Sequence, residues 1–210
     1  LKVLDCACGS GFPALTLHKL GYDVTCTDGS DFMLERFRSN AEAAGVPIEP
    51  REALWEELEG LYPASFDVVM CRGCSFIYAG TFETDADPDW GALESSLQGM
   101  IACIRPGGRL YVDTTQEEHL DGEEWSSHPP REIDGHRIEI DERVIADPDA
   151  GRRRWNVKLR IDDASFDFER HSHYMPHDKF AQLLESAGLV DVAKAEVTGE
   201  RYAVFEGRKG

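Results

Sequence analysis

Apolar positions along the chain fall into short runs separated by polar turns. Strand-like runs cover residues 2–7, 22–27, 66–71 and 109–114, and between them lie segments at about 13–20, 30–44 and 90–104 whose apolar positions recur with helical spacing. That alternation predicts a parallel sheet with crossover helices. The boundaries carry fitting chemistry. Pro13 suits the first turn of a helix, Gly45 can end the second helix, and Pro106-Gly107-Gly108 makes a tight turn into a strand.

From about residue 128 the period changes to two. Trp155, Val157, Leu159 and Ile161 alternate with Arg154, Asn156, Lys158 and Arg160, the pattern of a half-buried antiparallel strand. Ile138 and Ile140 before it and Phe166 and Phe168 after it alternate likewise, with turn residues at 147–151 and 162–163 between them. A three-stranded meander inserted at about 128–174 follows. Residues 178–187 read as a helix stopped by Gly188, and runs at 189–197 and 202–207 as a closing antiparallel pair. The expectation is a single domain over 1–210 carrying this insertion. The chain opens directly on a strand-like run, so a leading cap segment is expected to precede it.

Composition narrows the function. Forty acidic against 22 basic residues give a net charge of −18, which repels a phosphate backbone and argues against nucleic acid as a partner. No apolar stretch approaches the roughly 20 residues of a membrane helix, so no membrane partner is expected. The six cysteines, Cys6, Cys8, Cys26, Cys71, Cys74 and Cys103, sit in or beside apolar runs, as reduced thiols of a cytoplasmic protein would.

The chemistry begins where the first strand ends. In Asp5-Cys6-Ala7-Cys8-Gly9-Ser10-Gly11 two glycines let a ligand approach the backbone closely, and a helix follows. Gly9 to Ala14 also satisfies the dinucleotide pattern G-x-G-x-x-A, with Asp28 near the spacing of a ribose-binding carboxylate, which keeps a nicotinamide enzyme in view. Asp5 argues against it. A carboxylate about 5 Å from a pyrophosphate charge costs about 3 kcal/mol at an effective dielectric near 20, whereas the same carboxylate favours an ammonium or a sulfonium. Asp28 can accept from both ribose hydroxyls, or serve merely as an acidic cap for the helix from Ser30.

Four segments taken together carry a resemblance: V-L-D-C-A-C-G-S-G at 3–11, T-D-G-S-D-F-M-L at 27–34, F-D-V-V-M-C-R-G-C-S-F at 66–76 and I-R-P-G-G-R-L-Y-V-D at 104–113. They resemble the successive motifs of class I S-adenosylmethionine-dependent methyltransferases. A-C-G-x-G at 7–11, S-D-x-M-L at 30–34, Ser75-Phe76 and H-Y-M-P-H at 173–177 resemble the glycine N-methyltransferase group in particular. The resemblance implies an α/β fold with a Rossmann-like sheet, mostly parallel with its last strand antiparallel, and S-adenosylmethionine as cofactor, leaving S-adenosylhomocysteine. It places Ala7, Gly9 and Gly11 on the methionine moiety, Asp28 on the ribose, and Met33 with Leu54 and Trp55 on the adenine. Asp5, Ser10, Gly29, Cys71 and Arg72 complete the cofactor-binding set. Trp55 could instead be a core residue.

The acceptor half departs from the glycine enzymes. Where they carry Asn after the fourth-strand glycine this chain has Cys74, where they carry His it has Tyr78, and where an Arg grips the substrate carboxylate it has Thr115. Ser75, Tyr78, Thr115 and Tyr174 are the expected acceptor-binding residues, with Tyr78, His119 and Tyr174 as candidates for a catalytic part. The activity expected is N-methylation of a small-molecule amine by direct in-line transfer, which needs no catalytic residue. O-methylation with His119, His128 or His173 as base is the alternative, and a catalytically silent S-adenosylmethionine-binding subunit is a third reading. No metal is expected: Cys71 and Cys74 form a C-x-x-C without a second pair, and His171, His173 and His177 read more simply as a solvated strand edge than as ligands. The meander offers a surface through which the chain can form a homo-oligomer.

Overall fold

A computed structural model describes residues 1–81, 88–117 and 124–210. In chain order the elements are β1 (Lys2–Asp5), α1 (Ala14–Lys19), β2 (Asp23–Asp28), α2 (Asp31–Ala44), β3 (Arg51–Glu52), α3 (Leu58–Leu61), β4 (Phe66–Cys71), α4 (Trp90–Ala102) and β5 (Ile104–Thr114). They continue with β6 (Ser126–Ser127), β7 (Arg131–Ile133), β8 (His136–Asp147), β9 (Arg152–Ile161), β10 (Ala164–His173), α5 (His177–Ser186), β11 (Leu189–Ala195) and β12 (Ala203–Lys209). The chain divides into two compact units. The first holds residues 1–76, 91–115 and 178–210, the second 77–90 and 116–177.

The first unit is built on a seven-stranded sheet in the order β11-β12-β5-β4-β1-β2-β3. β1, β2, β3, β4 and β5 run parallel, and β12 lies antiparallel to both β5 and β11. Central parallel strands are covered on both faces and so need near-continuous apolar runs. Val3, Leu4, Val69, Met70 and Cys71 meet that need and are buried. α2 packs Leu34, Phe37 and Ala41 against Val3, Val24 and Cys26. Its ends are closed by the expected residues. Ser30 Oγ accepts from the Met33 amide at 3.4 Å, and Gly45, with φ 65°, returns its amide to the last turn.

The Pro106-Gly107-Gly108 turn lies inside β5 instead of before it. Phe66 pairs with Ile104 and Val68 with Arg109, so residues 105–108 bulge out while the ladder resumes on either side. The local turn chemistry was legible, but the pairing of Ile104 depends on a distant strand.

The second unit is an antiparallel sheet in the order β10-β9-β8-β6, with β7 paired to β8. The three long strands are the expected meander, in a register that sets Ile140 opposite Leu159 and Leu159 opposite Phe166. The sheet is larger than the expected three strands. β6 and β7 are two and three residues long and exposed, so they have no alternation for a periodicity argument to detect. Among the described residues no helix is long and apolar enough to cross a membrane.

Gly99 on α4 is a packing requirement within the first unit. A Cβ placed there would overlap the carbonyl of Trp55. We expect Gly99→Ala to destabilise the protein by about 1–3 kcal/mol, the usual cost of overpacking a fitted contact. Chemical denaturation measures this. An unchanged midpoint would show that the Trp55 segment is not held against α4.

Candidate functional site

The carboxyl ends of β1 and β2 bring two acids onto one glycine turn. Asp28, the last residue of β2, accepts from the Gly9 amide through Oδ2 at 2.8 Å and from the Ser30 amide through Oδ1 at 3.0 Å. Both oxygens are thereby fixed, each with lone-pair capacity remaining for a hydroxyl donor. Gly9 (φ 51°) and Gly11 (φ 111°) lie in left-handed backbone, and the carbonyl of Ser10 between them accepts from Asn40 Nδ2 at 2.8 Å. A Cβ on Gly9 would stand 3.3 Å from Met33 Cε, and one on Gly29 would stand 3.1 Å from Leu54 Cδ2. Met33 therefore lies against Gly9 and Leu54 against Gly29, with Leu54 half exposed.

Asp5, at the end of β1, is 1% exposed. Its Oδ1 receives only a long bond from the Ala7 amide, 3.4 Å, and its Oδ2 is buried without a partner. Burial raises its carboxyl to about 7, the Asp28 and Asp113 charges adding to the effect while the Ala7 amide and Arg72 oppose it. A buried carboxylate oxygen without a donor is costly to leave ionised. A cation placed beside it removes that cost, and this is the observation by which the site fits an ammonium- and sulfonium-bearing group. The α1 helix is only six residues long, so the fit rests on these carboxylates and turn amides and not on a helix end.

Other expected residues are committed to the protein. Trp55 donates from Nε1 to the Cys6 carbonyl at 2.7 Å and stacks edge-on to Phe76, with centroids 6.3 Å apart. It thus buttresses the end of β1. The Cys71 side chain is fully buried beside the Cys6 thiol, so any ligand contact there is by backbone. Arg72 donates from Nε to Asp113 Oδ2 at 3.0 Å and pairs through Nη2 with Glu200, and Ser75 Oγ donates to the Arg72 carbonyl at 3.2 Å. Asp113 is not among the residues expected from the sequence. Buried in β5, it also accepts from the Gly73 amide at 2.9 Å and the Cys74 amide at 2.7 Å, and so holds the left-handed loop after β4. Burial pushes its carboxyl up, and Arg72 with the two amides opposes that. Its signal was an acid inside the apolar run of β5.

The acceptor candidates divide between the units. Ser75 and Thr115 belong to the first, Tyr78 and Tyr174 to the second. The Tyr78 hydroxyl accepts from Arg153 Nη1 at 3.1 Å, while Tyr174 is buried and donates its amide to the Gly151 carbonyl at 2.8 Å. His119 lies outside the described residues. His128 is bonded to Glu142 at 2.7 Å on an exposed surface, and His171 to Glu169 at 2.7 Å. His173 is no solvated edge residue, because it is 1% exposed. Its Nε2 donates to the Ala79 carbonyl at 2.9 Å, its Nδ1 has no partner, the Trp90 ring stands edge-on to it, and burial pulls its pKa down.

A parallel sheet in this order, closed by an antiparallel strand and bearing acids at the ends of β1 and β2, defines the class I methyltransferase architecture. Solved structures share it. CalS10, an amino pentose methyltransferase of Micromonospora echinaspora, aligns over 100% of this chain and 83% of its own with a TM-score of 0.78 at 15% identity. A family model described as "Methyltransferase domain" matches residues 3–108. The chain belongs to that family, and its cofactor is S-adenosylmethionine. Glycine N-methyltransferase of Rattus norvegicus is 33% identical over 126 residues, 57% of this chain and 42% of that protein. The S-adenosyl-L-methionine-dependent Diels-Alderase iccD of Talaromyces variabilis is 25% identical over 201 residues, 94% of this chain and 56% of that protein. The chain thus spans about two-fifths of the length of the glycine enzyme.

Replacing Asp28 by Ala removes a fixed carboxylate from the turn. We expect S-adenosylhomocysteine to bind at least tenfold more weakly, a loss of about 1.4 kcal/mol or more. Calorimetry on the folded variant checks this, and an unchanged dissociation constant would take Asp28 out of the site.

Proposed function

We propose that the chain transfers a methyl group from S-adenosylmethionine to the nitrogen of a small-molecule amine. The observation that carries this reading is the pair of strand-end acids. Asp5 offers an unpaired, buried carboxylate oxygen to positive charge, and Asp28 offers a fixed carboxylate to a ribose. When bound, S-adenosylmethionine supplies an electrophilic methyl on a sulfonium. Asp5, the Gly9–Gly11 turn and Asp28 then fix the cofactor's position, with Met33 and Leu54 beside its adenine. An amine acceptor needs only alignment and exclusion of water, and orientation of reactants contributes up to about 7–11 kcal/mol. No covalent enzyme intermediate enters. An amine acceptor asks nothing of His128 and His171, each of which is engaged through Nε2 by a carboxylate, Glu142 and Glu169.

A second reading has one observation behind it. The Nε2–H of His173 is fixed on a carbonyl, and its depressed pKa keeps the ring neutral with Nδ1 as an acceptor, the state a hydroxyl methylation would require of its base. Ubiquinone biosynthesis O-methyltransferases are among the relatives, that of Xanthomonas euvesicatoria at 27% identity over 113 residues.

Thr115 cannot hold a carboxylate as a guanidinium does, and Arg72, which follows β4, is already shared between Asp113 and Glu200. Glycine is therefore expected to be a poor acceptor. Labelled S-adenosylmethionine, offered with glycine, sarcosine, larger amines and phenols, provides the assay. We expect larger amines to exceed glycine at least tenfold in kcat/KM. Glycine as the best acceptor would refute the argument from Thr115, phenols as the best would favour the His173 reading, and no labelled product from any would support a silent binding subunit.

A further inference from the structure

Asp28, Asp5, Arg72 and Asp113 lie in one row across the carboxyl end of the first unit's sheet. Asp5 is in register with Cys26 of β2 and Met70 of β4, and Met70 with Tyr111 of β5. Two residues beyond those three positions come Asp28, Arg72 and Asp113, so strand alternation, continued one residue past β4, sets all four charged groups on the same face. Neighbouring strands are about 4.8 Å apart, which makes Arg72 and Asp5 neighbours across the β1–β4 pair. The Arg72 charge acts on the Asp5 carboxyl, as do those of Asp28 and Asp113.

Arg72 and Asp5 do not pair, although a buried carboxylate oxygen without a donor is costly and the cation that could satisfy it follows the next strand. Two other carboxylates hold the guanidinium. Its Nε donates to Asp113 Oδ2 at 3.0 Å, and its Nη2 pairs with Glu200 Oε2. Glu200 precedes β12, the strand beside β5, and belongs to the same unit. It is itself anchored, because its Oε1 accepts from the Arg201 amide at 2.9 Å and from the Tyr202 amide at 3.3 Å. Asp113 has donors besides Arg72, since the Gly73 amide reaches its Oδ2 and the Cys74 amide its Oδ1. The charge that decides where Nη2 goes is therefore that of Glu200.

We propose that Glu200 is a positioning residue, which holds the Arg72 guanidinium against Asp113 and so keeps Asp5 open to the positive charge of S-adenosylmethionine. The identity of that charge rests on the methyl-transfer reading, whereas the effect of Glu200 on Asp5 does not. Without the Glu200 charge Nη2 is released, and Arg72 can bridge Asp113 and the unpaired oxygen of Asp5 as a planar fork of donors. An internal counter-ion then competes with the cofactor for the same carboxylate.

Two measurements on the whole chain test this. In the first, without cofactor, the aspartate carboxyls are titrated by carbon-13 NMR, with Asp5 assigned from an Asp5→Asn variant. The wild type should show Asp5 titrating near 7. Glu200→Gln keeps an acceptor for the two amides and loses only the charge, and it should bring Asp5 below about 6, because an opposite charge at contact favours the ionised form. In an Arg72→Met background, or in Arg72→Gln should the Met variant not fold, the same Glu200→Gln change should leave Asp5 where it is. The second measurement is calorimetry with S-adenosylmethionine at about pH 8, where Asp5 is ionised in both proteins. Glu200→Gln should bind at least fivefold more weakly than the wild type, while Glu206→Gln, which breaks the Arg109–Glu206 pair on the same sheet, should bind as the wild type does. An Asp5 titration that Glu200→Gln leaves unmoved, or moves equally without Arg72, overturns the proposal, and so does unchanged affinity in Glu200→Gln. Should the wild type bind no S-adenosylmethionine, the methyl-transfer reading falls, while the titration still decides whether Glu200 governs Asp5.

Discussion

The first unit is organised by the need to hold carboxylates at the carboxyl ends of parallel strands. Asp5 is buried at the end of β1, Asp28 ends β2, and Asp113 lies one residue from the end of β5. Each acid determines the backbone beside it. Asp28 clasps the amides of Gly9 and Ser30, while Asp113 clasps those of Gly73 and Cys74 together with Arg72. The tight turns after β1 and β4 are thus consequences of where the acids sit. Asp113 and Asp28 find donors for their charge. Asp5 has only the long bond from the Ala7 amide, its Oδ2 being without a partner, and that deficit is what a cationic cofactor can relieve.

The deficit has a sign that can be worked through. With its folded-state pKa near 7 and its ordinary value at 3.8, Asp5 binds its proton more tightly in the folded chain. Its contribution to stability is complete below about pH 4 and is lost as pH rises through 7. A bound cation reverses the preference, since the ionised form then has a partner. Under the proposed function, cofactor binding and proton loss from Asp5 are therefore linked.

How much of this was legible depended on the range of the interactions. The central strands, the caps of α2, the meander and the Gly9–Gly11 turn follow from residues near one another in sequence, and the structure places them as expected. Asp28 was legible for the same reason, because it closes a strand and precedes a helix cap. A packing part for Trp55 was open from the sequence, but its partners were not legible, since its bond to the Cys6 carbonyl and its fit against Gly99 span long stretches of chain. Arg153 was hidden by its neighbours: Arg152-Arg153-Arg154 reads as a solvated run. Extending the alternation of Trp155, Val157 and Leu159 backward by one step would have put it on the apolar face. His173 was hidden likewise, because the Ala79 carbonyl that fixes its ring lies in another segment of the chain. The strand-end acids and the glycine turn are thus written in local motifs, while the surroundings of Arg153 and His173 depend on register and on contacts distant in sequence.

The central claim is that Asp5 meets positive charge in the bound cofactor. Calorimetric titration of the wild type and of Asp5→Asn with S-adenosylmethionine, in buffers of different ionisation enthalpy, measures the protons exchanged. The wild type should release close to one Asp5-dependent proton at pH 6 and few at pH 8, with affinity rising between them. Asp5→Asn should lose both that release and the rise. Equal proton exchange and equal affinity in the two proteins across this range would contradict the claim.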